Sequence, residues 1–131
     1  MAARDADHAS FAWAPLDDRL DDWLATYRAV ARANGTEPDA GRHLLGWAHA
    51  AGCRRVRASA SAWCFATPEE RAWWGGLWAD RVRYSSFAGQ AVEAGISTSE
   101  RLQAMADAFV AWSSHPDAWF AVMHGEILVD E

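Results

Sequence analysis

Three side chains close to the N-terminus have the types and spacing for proton transfer: Asp5, Asp7 and His8 follow a short run of small residues, 2–4, that reads as a strand end passing into a polar loop. A carboxylate or an imidazole held there can accept a proton from a hydroxyl or amine about to react. Open α/β sheets bind ligands beyond the carboxyl ends of their parallel strands, which is where these residues fall. His8 and Asp7 are therefore the candidate catalytic pair and Asp5 a candidate substrate contact. The alternative is a solvated loop whose strand-end aspartate caps backbone N–H groups.

Arg28, Asn34, Asp39 and Arg42 gather around a turn between two helical segments. Arg28 and Arg42 are candidate substrate contacts, because a guanidinium binds a carboxylate or phosphate through two parallel hydrogen bonds. Pairing of Arg42 with Asp39 at the surface, or capping of a helix end, is the competing reading. The chain also holds nine tryptophans. Each removes on the order of 200 Å² from water when buried, so most belong to a core. Trp74 and Trp78 lie four residues apart on one helical stripe that could roof an apolar pocket, and with Trp13 they complete the candidate substrate residues. Trp73 and Trp74 cannot both face the same way. His43 and His49 point to different helix faces and no His/Cys/carboxylate set has ligand spacing, so no metal is expected. Cys53 and Cys64 lack a Cys-x-x-Cys spacing or an adjacent base, so neither reads as a nucleophile.

The elements that must position these groups follow from periodicity. Leu20, Trp23, Leu24, Tyr27, Val30 and Ala31 recur at three- and four-residue steps, predicting a helix over 18–33 capped by Asp17 or Asp18 and stopped at Asn34-Gly35. A second helix is predicted over 40–51, ending at Gly52. Val56, Ala58, Ala60, Ala62 and Cys64 then alternate with Arg55, Arg57, Ser59, Ser61, Trp63 and Phe65, the period of a long strand. Thr67-Pro68-Glu69-Glu70 is a capping box that must open a third helix. A fourth is predicted over 86–94. Ser97-Thr98-Ser99-Glu100 opens a fifth, and 119–129 reads as a last strand. The order is strand, two helices, strand, three helices, strand.

Length and composition bound what such a chain can be. Its 131 residues suffice for one domain with a core. Half are hydrophobic with no 20-residue apolar run, which argues against disorder and against a membrane span. Twelve basic residues, all arginine, face eighteen acidic ones for a net charge of -6, which disfavours nucleic acid as a partner. Two cysteines make no disulfide scaffold and no leader pattern opens the chain, pointing to a reducing, cytoplasmic setting.

Read together, Ala2-Ala3-Arg4-Asp5-Ala6-Asp7, the stretch Tyr27-Arg28-Ala29-Val30-Ala31-Arg32-Ala33-Asn34-Gly35, and Ala51-Gly52 ahead of the alternating strand resemble the class I S-adenosylmethionine-dependent methyltransferases, of the small-molecule type related to ubiquinone and menaquinone biosynthesis enzymes. The resemblance covers essentially the whole chain. It makes the first segment the family's fifth strand and the alternating one its sixth, with Cys53 where an aromatic is usual. Ala118-Trp119-Phe120-Ala121-Val122-Met123-His124-Gly125-Glu126 would be its seventh, antiparallel between the other two. The implied fold is the C-terminal part of a Rossmann-like α/β domain: three strands, the last antiparallel, and about five helices.

The family's cofactor site, a glycine-rich turn after its first strand and an acidic residue ending its second, has no counterpart here. Gly75-Gly76 lies inside a helical pattern. The resemblance thus implies the substrate-side half of a single methyltransferase domain, with Met1 just inside the fifth strand. A complete domain would bind S-adenosylmethionine and pass its methyl group to a small molecule by direct displacement; this chain alone would be inactive. The unpaired edge of the first strand would favour self-association. The alternative is a non-catalytic α/β module binding a hydrophobic ligand or a partner chain.

Overall fold

The computed structural model describes residues 1–130. Among them the elements run β1 (Ala2–Ala6), a 3-10 turn (His8–Ser10), β2 (Ala12–Ala14), α1 (Asp18–Ala33), a second 3-10 turn (Ala40–His43), α2 (Leu44–Ala50), β3 (Val56–Phe65), α3 (Pro68–Tyr84), α4 (Ser86–Glu93), α5 (Ser99–Ser114) and β4 (Trp119–Val129). They group into two compact units. One holds Met1–Ala12, Glu37–Cys64 and Ala121–Glu131; the other holds Trp13–Thr36 and Phe65–Phe120.

Four of the five α-helices, α1, α3, α4 and α5, lie where the periodicity puts them. Asp17 caps α1 by accepting from the Arg19 backbone N–H, and Thr67 and Glu70 close the reciprocal capping box of α3. Two expectations need correction. The segment 40–51 is not one helix: Ala40–His43 is a 3-10 turn and α2 begins only at Leu44. The cause is Gly41, whose backbone lies so close to strand backbone that a Cβ would sit 2.7 Å from both Asp5 O and Gly125 N. The sheet has four strands, not three, because 12–14 forms β2, too short to show a period.

β4 lies between β1 and β2 in the sheet order, and β3 pairs with it as well. In the first unit β1 runs antiparallel to β4 in the register Ala2↔Leu128 through Ala6↔His124. β3 is antiparallel to β4 too, since Arg55 O meets Asp130 N, Ser59 reaches Glu126 and Trp63 meets His124 as one strand ascends and the other descends. One sheet face is apolar: Ile127 and Val129 are buried with Ala48 of α2 against Ala3, Leu44, Cys53 and Val56. The opposite face carries the Arg4–Glu126 ion pair. β3 departs from the half-buried strand that strict alternation suggests, since Ala58, Ala60, Ala62 and Cys64 are exposed as well as Ser59 and Trp63.

The second unit packs α1, α3, α4 and α5 around an aromatic core. Trp23 is fully buried, edge-on to Trp78 at 4.8 Å and to Phe109 at 5.0 Å. Gly75 is where α3 meets α5, a Cβ there falling 2.7 Å from the Ser113 Cβ.

Candidate functional site

The first unit brings three of the sequence candidates together just beyond β1. Asp7 ends the strand by donating its N–H to Met123 O (2.8 Å), and its own carbonyl then accepts from Ser10 N (3.0 Å) as the chain turns. The side chain is 1% exposed. A carboxylate so deeply buried requires compensating donors. Arg42 supplies them, Nε to Oδ1 and one terminal nitrogen to Oδ2, both at 2.7 Å. The Ser10 hydroxyl donates to Oδ2 and accepts from Arg42 at 3.2 Å. The hydrogen bond from Arg42 outweighs burial and holds the Asp7 carboxyl below the usual carboxylate range.

His8 sits beside this pair. Its backbone N–H donates to Pro38 O (3.1 Å), and its Nδ1 lies 2.6 Å from the same carbonyl. A carbonyl only accepts, so Nδ1 carries the proton. Burial pushes the imidazole below its ordinary value, against the upward pull of that bond and of Asp39, Asp5 and Asp7. The neutral ring with hydrogen on Nδ1 places the lone pair on Nε2, the form a proton acceptor requires. Asp39 is 3% exposed and accepts from Ala9 N at 2.8 Å, tying the 3-10 turn after β1 to the segment that carries Arg42. Asp5 is exposed, bonded to its neighbour Ala6 N at 2.8 Å, and acts on His8 only through its charge.

The backbone beneath is set by two glycines. A Cβ on Gly125 would fall 1.9 Å from Gly41 O, so the 3-10 turn bearing Arg42 lies directly on β4. Neither Gly41 nor Gly125 stands out in the sequence, and neither does Ser10 as a partner of the pair. The one available signal was the three-residue step from Asp7 to Ser10, a local capping distance. Arg42 bonds to both carboxylate oxygens of Asp7, and the charge of Asp39 acts on it as well.

The remaining candidates belong to the second unit and do not line an open pocket. Trp78 is 4% exposed, and Trp74 is 8% exposed and stacked on Phe65 at 4.4 Å. Trp13 is half-buried and stacked on Phe120 at 5.5 Å. These rings are core, and the buried indole N–H groups of Trp13, Trp23, Trp74 and Trp78 have no hydrogen-bond partner among the described residues. Arg28 is half-buried on α1. Trp73 points outward, 59% exposed.

The glycines with positive φ, Gly35, Gly52 and Gly95, follow α1, α2 and α4 instead of opening a helix after a strand. Among the described residues no positive-φ glycine links a strand to a helix after it. The described residues also contain no group of three His, Cys, Asp or Glu placed to hold a metal ion, and no helix long and apolar enough to cross a membrane.

Comparison with known proteins finds a similar chain. The chain is 32% identical over 110 residues to a protein of the fission yeast Schizosaccharomyces pombe, covering 82% of this chain and 38% of that one. The yeast protein carries the name uncharacterized methyltransferase. The similarity supports a methyltransferase relationship for this chain. The chain spans little more than a third of the relative's length, and no family model matches it.

Proposed function

We propose that this chain is the acceptor-side part of a class I, S-adenosylmethionine-dependent methyltransferase of the ubiquinone and menaquinone type, acting on a small molecule. The supporting observation is the buried Asp7 carboxylate held by Arg42 at the end of β1 beside a neutral, oriented His8, in a chain similar to a protein named as a methyltransferase. His8 Nε2 takes the proton from an acceptor hydroxyl or amine as the oxygen or nitrogen attacks. The Pro38 carbonyl, which Nδ1 meets at 2.6 Å, and the Phe11 ring at 4.5 Å hold that imidazole in place. The cofactor is held by residues other than those described, and the active assembly works in the cytoplasm without nucleic acid or membrane as a partner.

Titration calorimetry tests this. The 131-residue chain alone should not bind S-adenosylmethionine or S-adenosylhomocysteine, while a chain extended upstream through a strand, a glycine-rich turn and a helix should bind both. In that longer protein His8→Gln should lower kcat by about 100-fold with little change in cofactor affinity. Micromolar binding by the short chain would relocate the cofactor site. Silence from both would favour a non-catalytic module that binds a hydrophobic ligand or a partner chain.

A further inference from the structure

The first unit has a long strand bonded along one side. Among the described residues β3 (Val56–Phe65) has β4 as its partner and no strand beyond it. Asp130 N donates to Arg55 O at 3.0 Å, which turns the odd-numbered residues of this strand toward β4. The backbone N–H and C=O groups of Val56, Ala58, Ala60, Ala62 and Cys64 therefore point outward. The one charge within β3 is Arg57 near its start; beyond it no proline and no charge interrupts 58–65, and the side chains from Ala58 to Cys64, Ser61 excepted, are exposed. The edge of β1 is shorter, five residues, and carries the charges of Arg4 and Asp5.

The residues of β3 are complementary to their own reverse. A two-fold axis normal to a sheet keeps each face on its own side, so odd positions can oppose only odd ones and even only even. With Ala60 opposite its own copy, Ala58 meets Ala62 and Val56 meets Cys64 on one face, while Ser59 meets Ser61 on the other. On that second face the Arg57 guanidinium comes opposite Trp63 of the second copy, and Arg55 opposite Phe65 of the second copy. Both arginines thus face aromatic rings, four cation–π contacts in all by symmetry. A register shifted by two residues either way seats only one of the two arginines on a ring. Arg57 and Trp63 are 70% and 51% exposed, and the partner of Arg57 in the single chain is Asp130, itself 56% exposed.

We propose that β3 is a homodimer interface, a second copy of this chain adding antiparallel along it with Ala60 at the two-fold axis. The two sheets then run on as one, and the outward backbone groups from Val56 to Cys64 are paired.

Sedimentation velocity of the 131-residue chain should give twice the chain mass at micromolar concentration. Ala60→Pro removes an outward N–H, a change edge strands accept, and should give a monomer with an unaltered circular dichroism spectrum. Trp63→Ala should weaken association about tenfold. In a background of Cys53→Ser and Cys64→Ser, Ser59→Cys with Ser61→Cys should form a disulfide-linked dimer on oxidation, while either single cysteine should not. This pair decides the matter even if Ala60→Pro fails to fold. A monomer at every concentration, a dimer that Ala60→Pro leaves intact, a dimer abolished instead by Ala2→Pro on β1, or cross-linking by a single cysteine would overturn the proposal.

Discussion

Arg42 grips both carboxylate oxygens of Asp7 at 2.7 Å, the guanidinium half exposed and the carboxylate sealed at 1% exposure. The asymmetry sets what substitution does. Arg42→Met strands a buried negative charge and should lower the thermal midpoint by about 5 °C or more, while Arg42→Lys recovers only part, because an ammonium cannot engage both oxygens. Because the Asp7 carboxyl is held below its ordinary value when folded, its contribution is present above about pH 4 and fades as the pH falls through the lowered value. Acid unfolding curves should therefore flatten in Arg42→Met relative to the natural chain, and parallel curves would refute the role given to this pair.

Two histidines resist protonation in the fold. His8 and His124 are both held below 6.5, chiefly by burial, with the Arg4 charge adding to the effect at His124. The folded chain pays no penalty above that value, and the penalty grows as the pH drops below it until the folded values are passed. Urea midpoints should thus be lower at pH 5 than at pH 7.5. His8→Asn, which can still donate to Pro38 O, and His124→Gln should each narrow that gap; a gap of unchanged size would disprove the assignment.

The contact between Gly41 and Gly125 leaves no room for a methyl group, since a Cβ on Gly125 would lie 1.9 Å from the Gly41 carbonyl oxygen. Gly125→Ala should cost about 3 kcal/mol and detach the turn that carries Arg42. Calorimetric unfolding measures the loss. Gly46→Ala is the control, because nothing lies within 4 Å of its Cβ position, and it should leave stability equal or slightly higher.

Adjacent tryptophans on α3 should behave oppositely. Trp74→Ala opens a cavity beside Phe65, Trp78 and Phe120 and should cost about 3–5 kcal/mol. Trp73→Ala, at a ring 59% exposed, should stay within about 1 kcal/mol in chemical denaturation.

Much of the secondary structure was legible because it is encoded locally. The capping box at Thr67 and Glu70 involves residues three apart, and the stripe from Leu20 to Val30 repeats within one helix. β2 escaped notice because its three residues are fewer than two full periods of alternation. The break between the 3-10 turn at Ala40–His43 and α2 escaped too. It comes from backbone contact with β1 and β4, which no local pattern of 40–51 records.

The sequence by itself determined the extents of α1, α3, α4 and α5 and the long alternating strand, and it singled out Asp7, His8 and Arg42 by side-chain type, since propensity, capping and side-chain type act over a few neighbours. Only the tertiary structure decided that Arg42 belongs to Asp7, thirty-five residues away, that Trp74 and Trp78 are core, and that β3 carries an open edge. Those outcomes depend on which segments meet across the sheet and on where burial leaves a charge in need of a partner, and both are set by long-range packing.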